Sequence, residues 1–318
     1  MKTCRYEGER DKSRRFKITL HAFVSLCFPL LLLFILCSCR TAPEGGPIVA
    51  AIPQRGTLPA YRELVERYNA NLAGLDRLWA RADVTLRYRD EKGKWRSQRG
   101  DDSKLLMVVP DKVALAVGGI GPPVLWIGGN EQQYWVFHLR DEKPVYYGSR
   151  ARIGSPTTQP LPSPVYPHQV PWMLGVVTLD PNADSEVEWY RGYYLIEPPG
   201  TGTRMLIDPQ TARPVRIDLL DPRGFSTLAV RLHDFVPVTQ GSAKSSTPAP
   251  LVPSRIEAWV LGEGTQVTLK LNSVKDGRGD RAIERAFASA FDLQRLIQAH
   301  QPQVQVNLDS ASSATGGQ

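Results

Sequence analysis

An alternating pattern of apolar and polar residues dominates this 318-residue chain from about Trp79 onward. Val84 and Leu86 alternate with Thr85 and Arg87, and further short runs rich in β-branched and aromatic residues follow, separated by turn sequences. Alternation of this kind indicates strands, and the closely spaced turns indicate hairpins. We therefore expect a mainly β (α+β) fold built on one large antiparallel sheet of about eleven strands. No βαβ alternation is present that would favour a parallel sheet.

Three segments have helical spacing instead. The first follows residue 60, where apolar residues recur at intervals of three and four, which predicts one apolar helical face. Its members are Tyr61, Leu64, Val65, Tyr68, Leu72 and Leu75. The stretch HQVPWMLGVV at residues 168–177 predicts a short helix with Pro171 near its first turn. The stretch AIERAFASAFDLQRLIQAH at residues 282–300 has helical spacing near the C-terminus.

Two segments interrupt the sheet pattern and one ends it. Residues 154–169 and 240–253 are rich in Pro and Ser, so we expect surface loops there. The tail ending in SASSATGGQ is expected to be disordered by its composition, which places it in residues 301–318. One domain over residues 60–300 accounts for the helices and strands together.

The N-terminus predicts export. A basic segment precedes residues 18–36, which carry no charged side chain, and a basic flank before an apolar run is typical of a secretory signal. The sequence Leu36-Cys37-Ser38-Cys39 then resembles a lipobox, with Cys39 as the lipidated residue and 1–38 as the signal peptide. Cys37 fits less well, because the bulky Leu36 precedes it. The apolar run is long enough that an uncleaved membrane anchor stays open as an alternative.

Lipidation of Cys39, for example by palmitate, would tether the mature protein to a membrane through residues 39–59, a spacer rich in Pro, Gly and Ala. The other three cysteines would leave with the signal, so no disulfide is expected. Arg40 stands where an Asp would retain a lipoprotein at the inner membrane, which predicts the outer membrane facing the periplasm. The net charge of +7 lies mostly in the signal, and we expect no nucleic-acid partner.

One stretch carries a family resemblance. In residues 205–224, MLIDPQTARPVRIDLLDPRG, a strand ends at Asp208-Pro209, a turn leads to a strand at Val215, and a second turn begins at Asp221. Gly100 before KLLMVVPDKVALAV, and the hairpin sequence VLWIGGNEQQYWVFHL, agree more loosely. Together, residues 72–273 resemble the periplasmic lipoprotein-carrier superfamily of LolA and LolB.

The resemblance implies a half-barrel of eleven strands, capped by helices around a cavity for acyl chains. It therefore implies a protein that carries lipid or the acyl chain of a lipoprotein. The two Pro-rich loops depart from the family pattern, which leaves the protein partner open.

Catalytic motifs do not stand out. The chain has no G-x-S-x-G elbow, no H-E-x-x-H, no C-x-x-C and no phosphate-binding P-loop. His138 and His233 lie near strand ends without ligand spacing, so no metal and no cofactor is expected. We interpret the chain as a non-catalytic protein.

Aromatic residues are the strongest indication of a binding surface. They are spread over most predicted strands, and alternation places part of the set on the concave face. The candidate cavity residues are Trp126, Trp135, Phe137, Tyr146, Trp189 and Tyr194. The favoured hypothesis is an apolar cavity that binds a lipid or acyl chain at the envelope. The alternative is that these residues fill a core, which would leave a structural or protein-interaction module on the same scaffold.

Overall fold

The computed structural model describes residues 56–310, except 91, 119–122, 141–142, 162–164 and 242–247. The predicted signal peptide, Cys39 and most of the tether lie outside the described residues, as do 311–318. No helix within the described residues is both long enough and apolar enough to cross a membrane.

Fourteen strands make up the described chain's single sheet, and they follow one another with few interruptions. They are β1 (Arg77–Arg89), β2 (Trp95–Val108), β3 (Lys112–Val117), β4 (Leu125–Gly129), β5 (Gln133–His138), β6 (Pro144–Ser149), β7 (Glu188–Tyr190), β8 (Tyr193–Ile196), β9 (Thr203–Ile207), β10 (Pro214–Leu220), β11 (Ser226–Pro237), β12 (Leu251–Val260), β13 (Gln266–Lys275) and β14 (Val304–Asn307).

The sheet order is β14-β6-β5-β4-β3-β2-β1-β13-β12-β11-β10-β9-β8-β7. The strands β14 and β7 are its two edges, so the sheet does not close into a barrel. The predicted fold class is confirmed, although the strand count exceeds the expected eleven. Strands β1 to β13 pair antiparallel with their neighbours, mostly in hairpins but with β1 and β13 as a long-range pair, and β14 pairs parallel with β6.

Four α-helices are present in the described residues: α1 (Tyr61–Ala70), α2 (Val170–Met173), α3 (Arg281–Ala290) and α4 (Leu293–His300). The predicted N-terminal helix ends earlier than its apolar spacing indicated, at Asn71, and Leu72 is buried in the turn that follows. The predicted C-terminal helix is divided in two, because Asp292 accepts a hydrogen bond from the Arg295 N–H and so begins α4 as its N-cap.

The inner face of the sheet carries the main core. We define this face by Ala80, Leu105, Ile217 and Leu269, whose side chains belong to a single buried cluster with those of α1. The register places inner-face residues in continuous rows, as where Leu105 stands opposite Leu115. The alternation seen in the sequence therefore corresponds to a real difference between faces.

The outer face is divided. Over β1 to β6 it is covered by α3 and α4, whose apolar residues pack on Trp79 and Trp135. Over β10 to β13 it carries polar and charged residues such as Arg216, Glu257 and Lys270. Only half of the sheet is therefore a sandwich of helices and strands.

The segment after residue 300 differs from its expected disorder. Strand β14 lies in the predicted tail, and Leu308 after it is 2% exposed in a cluster with Tyr134 and Val136. Val306 packs against the same cluster. Composition predicted disorder because the polar end of the tail outweighs this short apolar run, yet the buried Leu308 and the partly buried Val306 pack this segment against the sheet.

Candidate functional site

Helix α1 covers the inner face through its apolar stripe. Leu64, Val65 and Tyr68 are at most 1% exposed, and each projects from the side of the helix that faces the sheet. The buried Tyr68 hydroxyl donates to the carbonyl oxygens of Gly175 and Val177, at 3.0 and 2.9 Å. Complete burial raises the pKa of Tyr68, so this hydroxyl stays protonated and remains a donor.

A second segment, residues 170–179, lies beside α1 on the same face. It starts with α2 and continues as irregular chain, with Met173, Leu174 and Val176 buried in the core. We call α1 and residues 170–179 together the cover. Gly175 lies where the cover is closest to the sheet, because a Cβ there would sit 2.7 Å from Cγ of Pro214. Its φ of +63° is also a conformation that favours glycine.

The cover leaves part of the inner face half-exposed. Four inner-face side chains adjoin the core but are only partly buried: Val84 in the middle of β1, Leu115 on β3, and Val260 and Val267 beside the turn that joins β12 to β13. Val84 stands opposite Leu269 and therefore points to the inner side. We call these four valine and leucine residues the inner apolar patch. A partly exposed apolar surface beside a covering segment is the kind of place where an acyl chain can bind.

Three of the six predicted cavity residues lie on the outer face. Trp126 stands opposite Phe137, and Trp135 stands opposite Gly128. Trp135 and Phe137 are completely buried against Leu293 and Leu296 of α4. The indole N–H groups of Trp126 and Trp135 are buried with no hydrogen-bond partner among the described residues. These side chains fill the interface between the sheet and the C-terminal helices.

The other three lie on the inner face, one near one edge of the sheet and two together near the other edge. Tyr146 packs near one edge of the sheet, with its ring perpendicular to that of His138 at 5.9 Å. Trp189 and Tyr194 stand opposite each other near the other edge, with ring centroids 4.8 Å apart. The structure therefore brings together the pair Trp189 and Tyr194 and the group around Trp126, but not the six as one lining. Sequence alternation could not separate these groups, because it does not say which face is concave.

Two solvent-filled depressions are large. A groove of about 660 Å³ on the outer face of β8 to β10 contains the ion pairs Arg204 with Glu197 and Arg216 with Asp218. A cleft of about 510 Å³ lies at the start of α3, beside Asp276 and Arg278. None of the six candidate aromatics lines either depression. Both depressions have mainly polar linings, so neither is suited to an acyl chain.

A buried polar cluster lies under the loop that precedes α2. Tyr134 is fully buried, with its ring perpendicular to that of Tyr166 at 5.3 Å. Burial chiefly, and then Tyr166 and Asp309, raise the pKa of Tyr134 to about 12. Burial, and then the Arg150 guanidinium, lower the pKa of His168 to about 4, so this imidazole is neutral at pH 7.

The polar cluster does not assemble a metal site or a nucleophile with its base. Within the described residues, no group of three His, Cys, Asp or Glu side chains is placed to hold a metal ion. His168 contacts Tyr166 as a ring neighbour at 5.8 Å, and no serine or cysteine among the described residues is hydrogen-bonded to its ring.

Comparison with known proteins gives fold likenesses only. No protein-family model matches the chain, and no curated protein matches it. A DUF1329 family protein from Desulfovibrio piger is similar in structure, at 13% identity and a TM-score of 0.47, over 74% of this chain and 100% of that one. A LolA superfamily protein from Nitrosomonas europaea is similar at 13% identity and a TM-score of 0.41, over 69% of this chain and 94% of that one.

Both TM-scores lie below 0.5, so neither likeness identifies a family or a function for this chain. At this identity the likeness concerns the fold alone. The ligand and the partner have to be argued from this chain's own residues.

Proposed function

We propose that this protein is a non-catalytic envelope lipoprotein that binds a lipid, or the acyl chain of another lipoprotein, on the inner face of its sheet. The observation that carries the proposal is the inner apolar patch of Val84, Leu115, Val260 and Val267, which lies beside the cover and is only half-buried. An acyl chain on this patch would continue the core that Leu64 and Tyr68 of α1 complete.

The energy of such binding is adequate. A long acyl chain that buries about 400 Å² at about 25 cal/mol per Å² gains on the order of 10 kcal/mol before the costs of association and ordering. Subtraction of these costs leaves affinities in the micromolar range.

The proposal includes a lipid anchor at Cys39, with cleavage of residues 1–38 and residues 39–59 as the tether. Each buried CH₂ of the attached chains contributes about 0.8 kcal/mol to membrane binding. The variant Cys39→Ser is expected to remain as uncleaved precursor and to lose palmitate labelling in a bacterial host. Unchanged labelling of that variant would move the site elsewhere.

The proposed location of the protein is the outer membrane, facing the periplasm, because Arg40 follows Cys39. Fractionation of a host with two membranes tests this placement. The native protein is expected in the outer membrane, and Arg40→Asp is expected to retain it at the inner membrane. The same distribution for both proteins would contradict the placement.

Titration with a fluorescent fatty acid tests the ligand. The segment Val49–Gln318 forms a compact unit and can be used without the anchor. We expect saturable binding at micromolar concentration, weakened about ten-fold by Val84→Asn, since the patch would then carry an amide. The control is Thr85→Asn, the next residue of β1, which points to the other face. Equal affinities of both variants, or no saturable binding by the native protein, would contradict acyl binding on this patch.

A second candidate is a protein-interaction or structural module with no ligand cavity. One observation favours it: the six candidate aromatics do not share one lining, and Trp135 and Phe137 are completely buried against α4. If the native protein binds no fatty acid, this candidate takes precedence. It would then predict a protein co-purified with the lipid-anchored chain from its own membrane.

A further inference from the structure

Three hairpin turns lie together at one end of the sheet and carry large exposed apolar side chains. Trp95, Phe225 and Leu261 are 46%, 68% and 43% exposed, and they follow or form the turns of β1 to β2, β10 to β11 and β12 to β13. We call these three turns, with Trp95, Phe225 and Leu261, the rim. The strands β1, β10 and β12 run in the same direction through the antiparallel order, so all three turns point out of the same end.

The turns are neighbours in space. The N–H of Leu261 donates to the carbonyl oxygen of Thr227 at 2.9 Å, which joins the β12 to β13 turn to β11. A Cβ built on Gly264 would stand 3.8 Å from the Trp95 ring, so the β1 to β2 hairpin reaches the same place. The three turns of the rim are therefore neighbours along one end of the sheet.

The β1 to β2 turn of the rim is also basic. The guanidinium groups of Arg87 and Arg89 lie over the Trp95 ring, at 4.8 and 5.0 Å from its centroid. Lys92 and Lys94 in the turn are exposed, whereas the Asp90 carboxylate accepts hydrogen bonds from the Lys92 and Lys94 backbone N–H groups. The Lys92 and Lys94 side chains are therefore exposed to solvent, whereas Asp90 stabilises the backbone of the turn.

We propose that the rim docks on an anionic phospholipid surface. Tryptophan, leucine and phenylalanine side chains partition into the boundary between headgroups and acyl chains, and arginine and lysine beside them pair with lipid phosphates. The positive charge around Trp95 selects an anionic surface over a neutral one. The proposal rests on this exposed end of the sheet and holds whether or not the inner apolar patch binds a ligand.

The described chain begins at the opposite end of the sheet. Gly56 accepts a hydrogen bond from the indole N–H of Trp189. Trp189 is aligned through Tyr194 and Ile207 with Pro214, the first residue of β10. The rim follows the last residue of β10, so Gly56 lies at the other end. The sixteen residues between Cys39 and Gly56 can span up to about 55 Å when fully extended. That reach exceeds the length of β1, about 43 Å at 3.3 Å per residue, so an anchored chain can lay its rim on the membrane.

Vesicle binding tests the proposal. The protein from Val49 to Gln318 is mixed with vesicles of phosphatidylcholine alone, or of phosphatidylcholine with phosphatidylglycerol, and the bound fraction is measured after sedimentation. We expect binding to the anionic vesicles that weakens as salt is added, because exposed charges are screened. Trp95→Ser and the double variant Arg87→Gln with Arg89→Gln are each expected to weaken it about ten-fold.

Two control variants match the rim variants in the exposure of the replaced side chain or in the number of charges removed. Tyr190→Ser replaces a side chain that is 41% exposed and lies away from the rim, and the double variant Arg62→Gln with Arg281→Gln removes two exposed cations elsewhere. Both controls are expected to bind as the native protein does. No binding of the native protein to anionic vesicles would overturn the proposal in favour of an acidic protein partner. Equal losses in the rim variants and the controls would also overturn it.

Discussion

Asn69 of α1 and Leu179 of the cover exchange two hydrogen bonds. The Asn69 amide nitrogen donates to the Leu179 carbonyl oxygen at 2.8 Å, and the Leu179 N–H donates to the Asn69 amide oxygen at 3.0 Å. One side chain therefore satisfies both backbone groups of a residue in an irregular segment. With the hydroxyl of Tyr68, it fastens residues 170–179 to the helix.

The first prediction concerns this connection. Asn69→Ala is expected to lower the free energy of unfolding by about 2 kcal/mol, because two partly buried backbone groups at Leu179 lose their partners. Denaturant titration measures the change. Asn182→Ala, in an exposed turn, is the control and is expected to change stability by less than about 0.5 kcal/mol. Equal stability of the two variants would show that the cover does not depend on Asn69.

The second prediction compares two glycines that both have positive φ. Gly175 has little space, with Cγ of Pro214 at 2.7 Å from the position of an added Cβ, whereas nothing lies within 4 Å of the same position on Gly224. Gly224→Ala is expected to cost about 1 kcal/mol, from backbone strain alone. Gly175→Ala is expected to cost about 2 to 4 kcal/mol, since overpacking adds to the strain. Thermal unfolding of the two variants checks the order, and the reverse order would contradict the close packing of the cover on the sheet.

The strands and α1 were predictable because their information is local. Val84 and Leu86 alternate with polar residues, and the spacing from Tyr61 to Tyr68 puts one face of α1 on the sheet. The face that α3 and α4 cover was not predictable. Trp126 and Phe137 are paired neighbours on the outer face, and alternation would read the same if they pointed inward.

The candidate site illustrates the same limit. Trp189 and Tyr194 are close in sequence, so a hairpin brings them together, but Tyr146 lies near the opposite edge of the sheet. Long-range order in a sheet of fourteen strands decides which aromatics meet, and no local pattern encodes that order. The rim had a usable indication, because Trp95 follows a turn in a strongly basic segment.

The third prediction concerns pH. The pKa of His168 is lowered to about 4 in the folded protein, chiefly by burial, against about 6.5 when unfolded. The unfolded chain therefore binds a proton at a higher pH than the folded chain does. The stability that comes from the neutral imidazole is complete above pH 6.5 and is lost as the pH falls toward 4. The loss amounts to at most about 3 kcal/mol.

His168→Gln removes this titration and keeps a polar side chain. Denaturant titrations at several pH values between 7 and 4 are expected to give a shallower fall in stability for the variant than for the native protein. Carboxylates contribute equally to both proteins, so the difference between the two slopes isolates His168. Parallel slopes would mean that the imidazole is not buried in its neutral form.

The last prediction concerns the strand that composition did not indicate. Leu308 is 2% exposed and packs with Tyr134 and Val136, and its N–H donates to the Tyr147 carbonyl oxygen at 2.8 Å. Leu308→Ala is expected to lower the free energy of unfolding by about 2 to 4 kcal/mol, because the cavity that it leaves lies under the edge of the sheet. Val304→Ala changes a side chain that is 43% exposed in the same strand, and less than about 0.5 kcal/mol is expected. A neutral Leu308→Ala would return this segment to the disordered tail that its composition predicts, and would detach β14 from the sheet as a stabilising element.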